Sequence, residues 1–252
     1  MSPQEYRIFT AIIIGMVGAS FGSYLLCVGE RMALRKKVVR AYSICPTCGH
    51  NLSGFDLIPV FSWIFLKGRC RYCKAPIPVK HLMTELIMAA VSTLLFLKFG
   101  LSLVFLEGIV FSTFLFTASI SDWISGRADD ILFVLPVVIW AVFLPLSDNM
   151  TAELTRLAIA IMTYTGLLLI VILIERIMKR TVLGGADIKA LFISCLYLHW
   201  YGFINMLVLS IIISAVLFFL MLLLTKKADI SKRLMFPYIP VIFISAVTSY
   251  LI

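Results

Sequence analysis

Charged residues are scarce in this chain of 252 residues. They make up only 14% of it, while 62% of the residues are hydrophobic and the mean hydropathy is +1.05. Soluble domains usually carry roughly a quarter of their residues as charged side chains, so this scarcity excludes a water-soluble globule. About 20 consecutive apolar residues suffice to cross a bilayer core, and the chain has room for about eight such spans. The composition therefore predicts an integral membrane protein.

Acidic residues are the scarcer charge, with 13 Asp and Glu against 22 Lys and Arg, a net charge of +9. A basic balance also occurs in nucleic-acid-binding proteins, but the basic residues here lie in loops between apolar runs. Lys and Arg in short flanking loops set the orientation of a membrane chain, which is a simpler cause. We therefore expect the lipid bilayer as a partner and no nucleic acid.

Eight apolar runs are predicted to be transmembrane helices. The first is not a cleavable secretory signal, because it is too long and no small-x-small site follows it. The polar segment 29–81 comes next and carries ten Lys or Arg and four of the six cysteines. The runs are 8–28, 82–99, 101–120, 131–146, 154–174, 188–200, 203–225 and 235–252.

The basic residues predict the topology. If segment 29–81 is cytoplasmic, the loops 121–130, 175–187 and 225–234 are cytoplasmic too, since consecutive spans alternate in direction. Of the 22 basic residues, 19 then lie inside and only Arg7, Lys98 and Arg156 lie outside. Both termini are predicted on the outer side. The run 188–200 is short for a span.

Four cysteines form two C-x-x-C pairs, Cys45 with Cys48 and Cys70 with Cys73, separated by 21 residues. Four thiolates at this spacing are typical of a closed tetrahedral Zn²⁺ site, which stabilises a loop and leaves no position for catalytic water. Free thiols or a thioredoxin-like redox motif are the alternatives, and a cytoplasmic location disfavours disulfides. The remaining cysteines, in apolar runs, are interpreted as packing residues.

Seven of the acidic residues in or beside the apolar runs are candidate functional groups, because a carboxylate there is costly. Asp122 closes the third run and Asp187 opens the sixth, so the predicted topology places both at the cytoplasmic boundary. Two such carboxyls can share one proton, activate water and protonate a carbonyl. The candidates are Glu85, Glu107, Asp122, Asp129, Asp130, Glu175 and Asp187.

These acids also have structural interpretations. Asp187 follows Gly184 and Gly185 and precedes an apolar run, which is typical of a helix N-cap. Asp130 is similarly a candidate cap for the next helix, and the acids inside the runs are candidates for polar contacts within the bundle. The glycine pair favours a catalytic interpretation, because glycine lets an extended peptide approach closely.

Further motifs lie along nearly the whole chain. They are Gly18-Ala-Ser20-Phe21, the block from Cys45 to Cys73 with Asp56, Pro59 and Trp63, Glu85, Asp122, and Gly184-Gly185-x-Asp187-x-Lys189. Together they resemble the motifs of the type IV prepilin peptidases, polytopic aspartyl proteases of the bacterial inner membrane. Three positions depart from that family's pattern: the glycine usually found before the second catalytic Asp is Ala186, the loop after the first catalytic Asp reads Ala128-Asp129-Asp130, and 236–240 keeps only part of the final-helix motif.

The resemblance implies that Asp122 and Asp187 are catalytic, with Gly184, Gly185, Lys189 and Glu85 in supporting positions. It implies removal of a short basic leader from prepilins or pseudopilins on the cytoplasmic side, at a Gly before a hydrophobic helix. Many members also methylate the new N-terminus with S-adenosylmethionine, and in those the zinc-bearing loop accompanies that activity. No glycine-rich nucleotide loop is present, so no cofactor site is predicted.

The predicted fold is therefore an all-α polytopic membrane protein. It comprises a first transmembrane helix in 1–28, a cytoplasmic zinc-binding domain in 29–81 and a seven-helix membrane peptidase domain in 82–252. One rival is a transporter or assembly scaffold with a zinc-stabilised loop, which predicts ion flux that depends on Glu107 or Asp122. Another is a thiol oxidoreductase, which predicts redox exchange at Cys45 and Cys48.

Overall fold

The computed structural model describes residues 2–38, 43–147, 149–179, 184–224 and 237–252, and the regular structure in these ranges is helical apart from two isolated β-bridges. The all-α prediction is confirmed. Short 3₁₀ turns lie at Gly54–Leu57 and Leu144–Leu146. The helices are α1 Pro3–Ala33, α2 Phe61–Phe65, α3 Val79–Phe99, α4 Leu103–Ser125, α5 Ile131–Phe143, α6 Met150–Met178, α7 Gly185–Tyr197, α8 Trp200–Leu224 and α9 Ile239–Leu251.

Five of these helices are long and apolar enough to cross a membrane, namely α1, α3, α4, α6 and most of α8. The chain is thus a multi-pass membrane protein. The other three predicted runs contain shorter helices, α5, α7 and α9, of 13 residues each. The total of eight spans stays a prediction, as do the domain boundaries at 28 and 81.

The first of two compact units, Met1–Leu106, is built on the packing of α1 against α3. Three glycines on α1 allow this approach: an added Cβ would lie 2.8 Å from Thr93 Oγ1 at Gly15, 1.9 Å from Ser92 Oγ at Gly18, and 2.4 Å from the Thr84 carbonyl at Gly22. Small residues at this spacing let membrane helices pack closely. The glycine of the Gly18-Ala-Ser20-Phe21 motif therefore has a packing role.

Replacing Gly18 by leucine is expected to destabilise the α1–α3 pair by about 1–3 kcal/mol or more, because Met88's backbone carbonyl would lie only 2.7 Å from the new Cβ. Gly166→Leu is the matched control, since an added Cβ at Gly166 meets no atom within 4 Å. Thermal unfolding of both variants in the same detergent checks the prediction. Equal melting temperatures would contradict it.

The second unit, Glu107–Ile252, is built around α7. This helix packs against α5, α6, α8 and α9, and eight of its 13 residues are buried. Tyr197 near its end donates a hydrogen bond to the Pro136 carbonyl at 2.7 Å and stacks on Phe111 at 5.2 Å between ring centroids. A helix enclosed by other helices is apolar on most of its sides, which explains why apolar residues predominate in this short run.

Candidate active site and metal centre

Asp122 lies in the last turn of α4 and is only 7% exposed. The helix ends at Gly126, which has a φ of +64° and whose N–H donates to the Asp122 carbonyl at 2.7 Å. The backbone N–H of Ile239, the first residue of α9, acts on the Asp122 carboxylate and favours its charged form. Free N–H groups at a helix N-terminus carry partial positive charge, so α9 stabilises the Asp122 carboxylate.

Asp187 is the third residue of α7, and Gly184 is the N-cap. Asp187 lies three residues after the N-cap, so its interpretation as the N-cap residue is wrong. Its side chain nevertheless forms a hydrogen bond at the start of the helix. The Gly184 N–H donates to Asp187 Oδ2 at 3.2 Å. A Cβ at Gly184 would lie 2.9 Å from that same oxygen, so the absence of a side chain there leaves room for the carboxylate.

The two aspartates interact electrostatically within the second unit, since the charge of Asp122 acts on the Asp187 carboxyl. Asp122 is buried and Asp187 is partly buried, and two interacting carboxyls in such a setting resist being ionised together. Asp122 Oδ2 is buried and has no hydrogen-bond partner among the described residues. Asp122 thus has an oxygen that can bind water or a carbonyl group, and its charge acts on a second carboxyl. Its catalytic role stays a prediction.

Lys189, two residues beyond Asp187, forms an ion pair with Asp130, with 2.5 Å between Nζ and Oδ1. Asp130 is the N-cap residue of α5, but its side chain makes no capping hydrogen bond. The capping interpretation of this side chain is therefore wrong, and the carboxylate instead joins the start of α5 to α7. Both side chains are substantially exposed, so solvent screens the attraction.

An apolar groove of about 320 Å³ opens beside this ion pair. Val134 and Val138 of α5, Tyr164 of α6 and Phe192 of α7 form its walls, and Lys189 lies at its rim. The groove can hold apolar side chains next to the helix turn that carries Asp187.

Glu85 belongs to the first unit, where it is buried on α3. Its Oε2 accepts a hydrogen bond from the Val60 N–H at 2.6 Å. Val60 has a φ of +64°, which is strained for a β-branched residue, and this bond helps to hold it there. The structure thus gives Glu85 a polar contact, while its supporting role in catalysis stays a prediction.

The four cysteines of the predicted metal site come together: their sulfur atoms all lie within 4.8 Å of one another. Sγ atoms of Cys45 and Cys73 are 3.8 Å apart, and four thiolates about 2.3 Å from a tetrahedral Zn²⁺ lie about 3.8 Å from one another. This separation is too long for a disulfide. The donor set therefore fits zinc, which would hold the two C-x-x-C turns together.

Each C-x-x-C pair is folded as the same turn. Cys45 N–H donates to the His50 carbonyl at 3.0 Å, and Cys70 N–H donates to the Ala75 carbonyl at 2.8 Å. Backbone hydrogen bonds from Cys48 and Thr47 lower the pKa of the Cys45 thiol to about 6, which favours the metal-binding thiolate. Both turns are thus prepared to present sulfur to a metal.

The two turns differ at the residue after the second cysteine, where both have positive φ: Gly49 at +70° and Lys74 at +60°. Gly49→Ala is expected to cost about 1 kcal/mol, because no atom lies within 4 Å of its added Cβ and only backbone strain is introduced. Lys74→Gly should relieve similar strain. Zinc release to a competing chelator should be several-fold faster in the first variant and slower in the second. Identical rates would contradict this.

Asp56 was not predicted as a site residue, yet it connects the two halves of the metal loop. Arg71 Nε donates to Oδ1 at 2.5 Å, and Tyr72 and Ser53 donate to Oδ2 at 3.1 and 2.8 Å. Burial alone would raise the pKa of Asp56, but these hydrogen bonds outweigh it and lower the pKa to about 2. One sequence signal could have identified it. Asp56 lies between the cysteine pairs and is the single acid of segment 34–78, which carries eight Lys or Arg.

Arg156 and Glu153 form a second polar contact that the sequence did not reveal. Their ion pair on α6 measures 2.9 Å, and Arg156 also contacts His199 in the α7–α8 connection. Arg156 appeared in the sequence only as a topology marker. The pairing shows that it also ties α6 to the end of α7.

Two known protein families together match most of the chain. Residues 16–99 match the bacterial peptidase A24 N-terminal domain, and residues 109–220 match the type IV leader peptidase family. The chain belongs to the type IV leader peptidase family. The resemblance inferred from the motifs is therefore confirmed.

Two relatives that share one name match this chain over most of its length, and a third matches part of it. The prepilin leader peptidase/N-methyltransferase of Myxococcus xanthus is 27% identical over 90% of this chain and 67% of its own length. The Bacillus subtilis protein of that name is 26% identical over 95% of this chain and 93% of its own length. The Dichelobacter nodosus protein of that name is 32% identical over 64% of this chain and 54% of its own length. No solved structure matches the chain significantly.

Proposed function

We propose that this protein is an aspartyl endopeptidase that removes the basic leader from type IV prepilins or pseudopilins. It acts at the cytoplasmic face of the bacterial inner membrane. The observation that carries the proposal is the electrostatic interaction between Asp122 and Asp187, in a chain whose relatives are named prepilin leader peptidases. The predicted topology puts both acids on the side where a leader is exposed.

The reaction uses the pair with one shared proton. The protonated carboxyl donates to the scissile carbonyl, and the ionised one takes a proton from the attacking water. Water adds to the carbonyl carbon, the C–N bond breaks, and the amine leaves protonated. No covalent enzyme intermediate forms, and neither role is assigned to one Asp.

The surroundings of the pair support this chemistry. The Ile239 N–H stabilises whichever negative charge Asp122 carries during the cycle. Gly184 and Gly185 are exposed and lack side chains, so an extended peptide can approach Asp187 closely. The apolar groove beside α7 provides a surface for hydrophobic residues of the mature segment.

Incubating the detergent-solubilised protein with a purified prepilin, and measuring intact mass before and after, tests the proposal. A loss equal to the mass of the leader, with a new N-terminus just after the glycine, is expected. An unchanged prepilin mass, with the protein folded and zinc-loaded, would refute the proposed peptidase activity.

We further propose that the mature N-terminus is methylated with S-adenosylmethionine, on the strength of the relatives' names. No residue of this chain is assigned to that cofactor. Incubation of the cleaved pilin with methyl-labelled S-adenosylmethionine is expected to label its N-terminus. Cleavage without any label would refute the methylation and support the peptidase activity only.

A further inference from the structure

Helix α2 has an apolar face that no described residue of its own unit, Met1–Leu106, covers. Phe61, Ile64 and Phe65 share one side of this helix, because residues three and four apart are neighbours on a helix surface, and they are 51%, 55% and 81% exposed. The preceding 3₁₀ turn packs against α2 and adds Phe55, which is 76% exposed. Exposed apolar clusters of this kind usually mark a contact surface.

The bond between Glu85 and Val60 fixes where this face lies relative to the membrane. Glu85 is the seventh residue of α3, about 9 Å along the helix from its start at 1.5 Å per residue. That position is inside the predicted span 82–99. Val60 directly precedes α2 and lies 2.6 Å from the Glu85 carboxylate. The apolar face of α2 therefore begins at the level where α3 enters the membrane.

The charges around α2 fit an anionic lipid surface. Segment 34–78 carries eight Lys or Arg and one acid, Asp56. Lys67, Arg69 and Lys74 follow α2 and are exposed. Aromatic and aliphatic side chains beside basic ones are typical of segments that lie in the membrane interface, with the apolar residues among acyl chains and the cations on headgroups.

We propose that residues 55–65 form an interfacial anchor that inserts Phe61, Ile64 and Phe65 into the cytoplasmic leaflet, with the following basic residues bound to anionic headgroups. A protein partner is disfavoured by charge. The basic leader of a prepilin would be repelled, and loops 121–130, 175–189 and 225–234 are net positive when taken together, with nine Lys or Arg against six acids. The anchor keeps the metal loop on the membrane surface and does not depend on the proposed peptidase activity.

Site-specific photo-crosslinking of the full, zinc-loaded chain tests the anchor. The variant Phe65→p-benzoylphenylalanine is reconstituted in vesicles of phosphatidylethanolamine and phosphatidylglycerol and illuminated, and its adducts are identified by mass spectrometry. The control is Asn51→p-benzoylphenylalanine, at an exposed polar position of the same loop. Several-fold more lipid adduct at position 65 than at 51 is expected. Adducts to residues 107–252 or to added prepilin, or equal lipid labelling at both positions, would overturn the proposal.

A second, independent experiment tests the contact between Glu85 and the Val60 N–H. Glu85→Leu removes the acceptor for the Val60 N–H, so lipid labelling at position 65 should fall toward the Asn51 level. Glu85→Gln keeps an oxygen acceptor and should retain the labelling. Unchanged labelling in Glu85→Leu would refute the depth assigned to α2. Vesicles of phosphatidylcholine alone should also reduce labelling, and unchanged labelling there would refute the role of anionic headgroups.

Discussion

Leader cleavage should fall by about a thousandfold or more when Asp187 is replaced by asparagine, because an amide can neither take the proton from water nor donate one to the carbonyl. Asparagine keeps the shape of the side chain and an oxygen that can accept the Gly184 N–H, so the start of α7 should stay folded. Asp122→Asn should have an effect of the same order. Initial rates of leader removal from a purified prepilin measure both.

Asp129→Asn is the matched control for this pair of variants. It makes the same chemical change on the same loop, but Asp129 is exposed and is not part of the acid pair. Cleavage by this variant should stay close to that of the unchanged protein. The double variant Asp122→Asn with Asp187→Asn should be no slower than either single one, since the two groups act as a unit. Full cleavage by Asp187→Asn, with an unaltered melting temperature, would rule the mechanism out.

The helices were predictable because long apolar runs leave a membrane chain little choice but to satisfy its backbone hydrogen bonds internally. The metal cluster was predictable for a different reason. Each C-x-x-C pair folds through local turns, so Cys45 with Cys48 and Cys70 with Cys73 present their sulfurs almost independently of the rest of the chain. The position of the acids at helix ends followed from the boundaries of the runs.

Interactions between distant segments were not predictable from the sequence. Asp130 had the pattern of a helix cap, but Lys189, 59 residues away, binds its side chain. Ile239 has no polar side chain, and its backbone N–H acts on Asp122 only because α9 begins at that place. The positive φ of Val60 is equally invisible in a sequence, since valine rarely adopts it. Such contacts depend on tertiary packing, which residue patterns along one segment do not encode.

Replacing Cys70 by serine is expected to remove the bound metal and unfold the loop 43–78. Structural zinc contributes about 10 kcal/mol or more to small metal domains, so losing one of four thiolates outweighs any other single change in this loop. Cys70 is only 4% exposed, and serine is a poor zinc ligand. Zinc measured by elemental analysis should fall from about one per chain to nearly none.

Trypsin sensitivity of the same samples shows whether the loop has unfolded. Lys67, Arg69, Arg71 and Lys74 surround the second cysteine pair, and in the folded loop Arg71 is bound to Asp56. Cys70→Ser should expose these sites to rapid cutting, while the apolar α1–α3 pair remains protected by the membrane. Cys27→Ser is the matched control, because it makes the same change on α1, outside the cluster. A Cys70→Ser protein that keeps its zinc and resists trypsin would refute the metal site. Metal-free protein with reversible disulfide exchange at Cys45 and Cys48 would instead support the redox hypothesis.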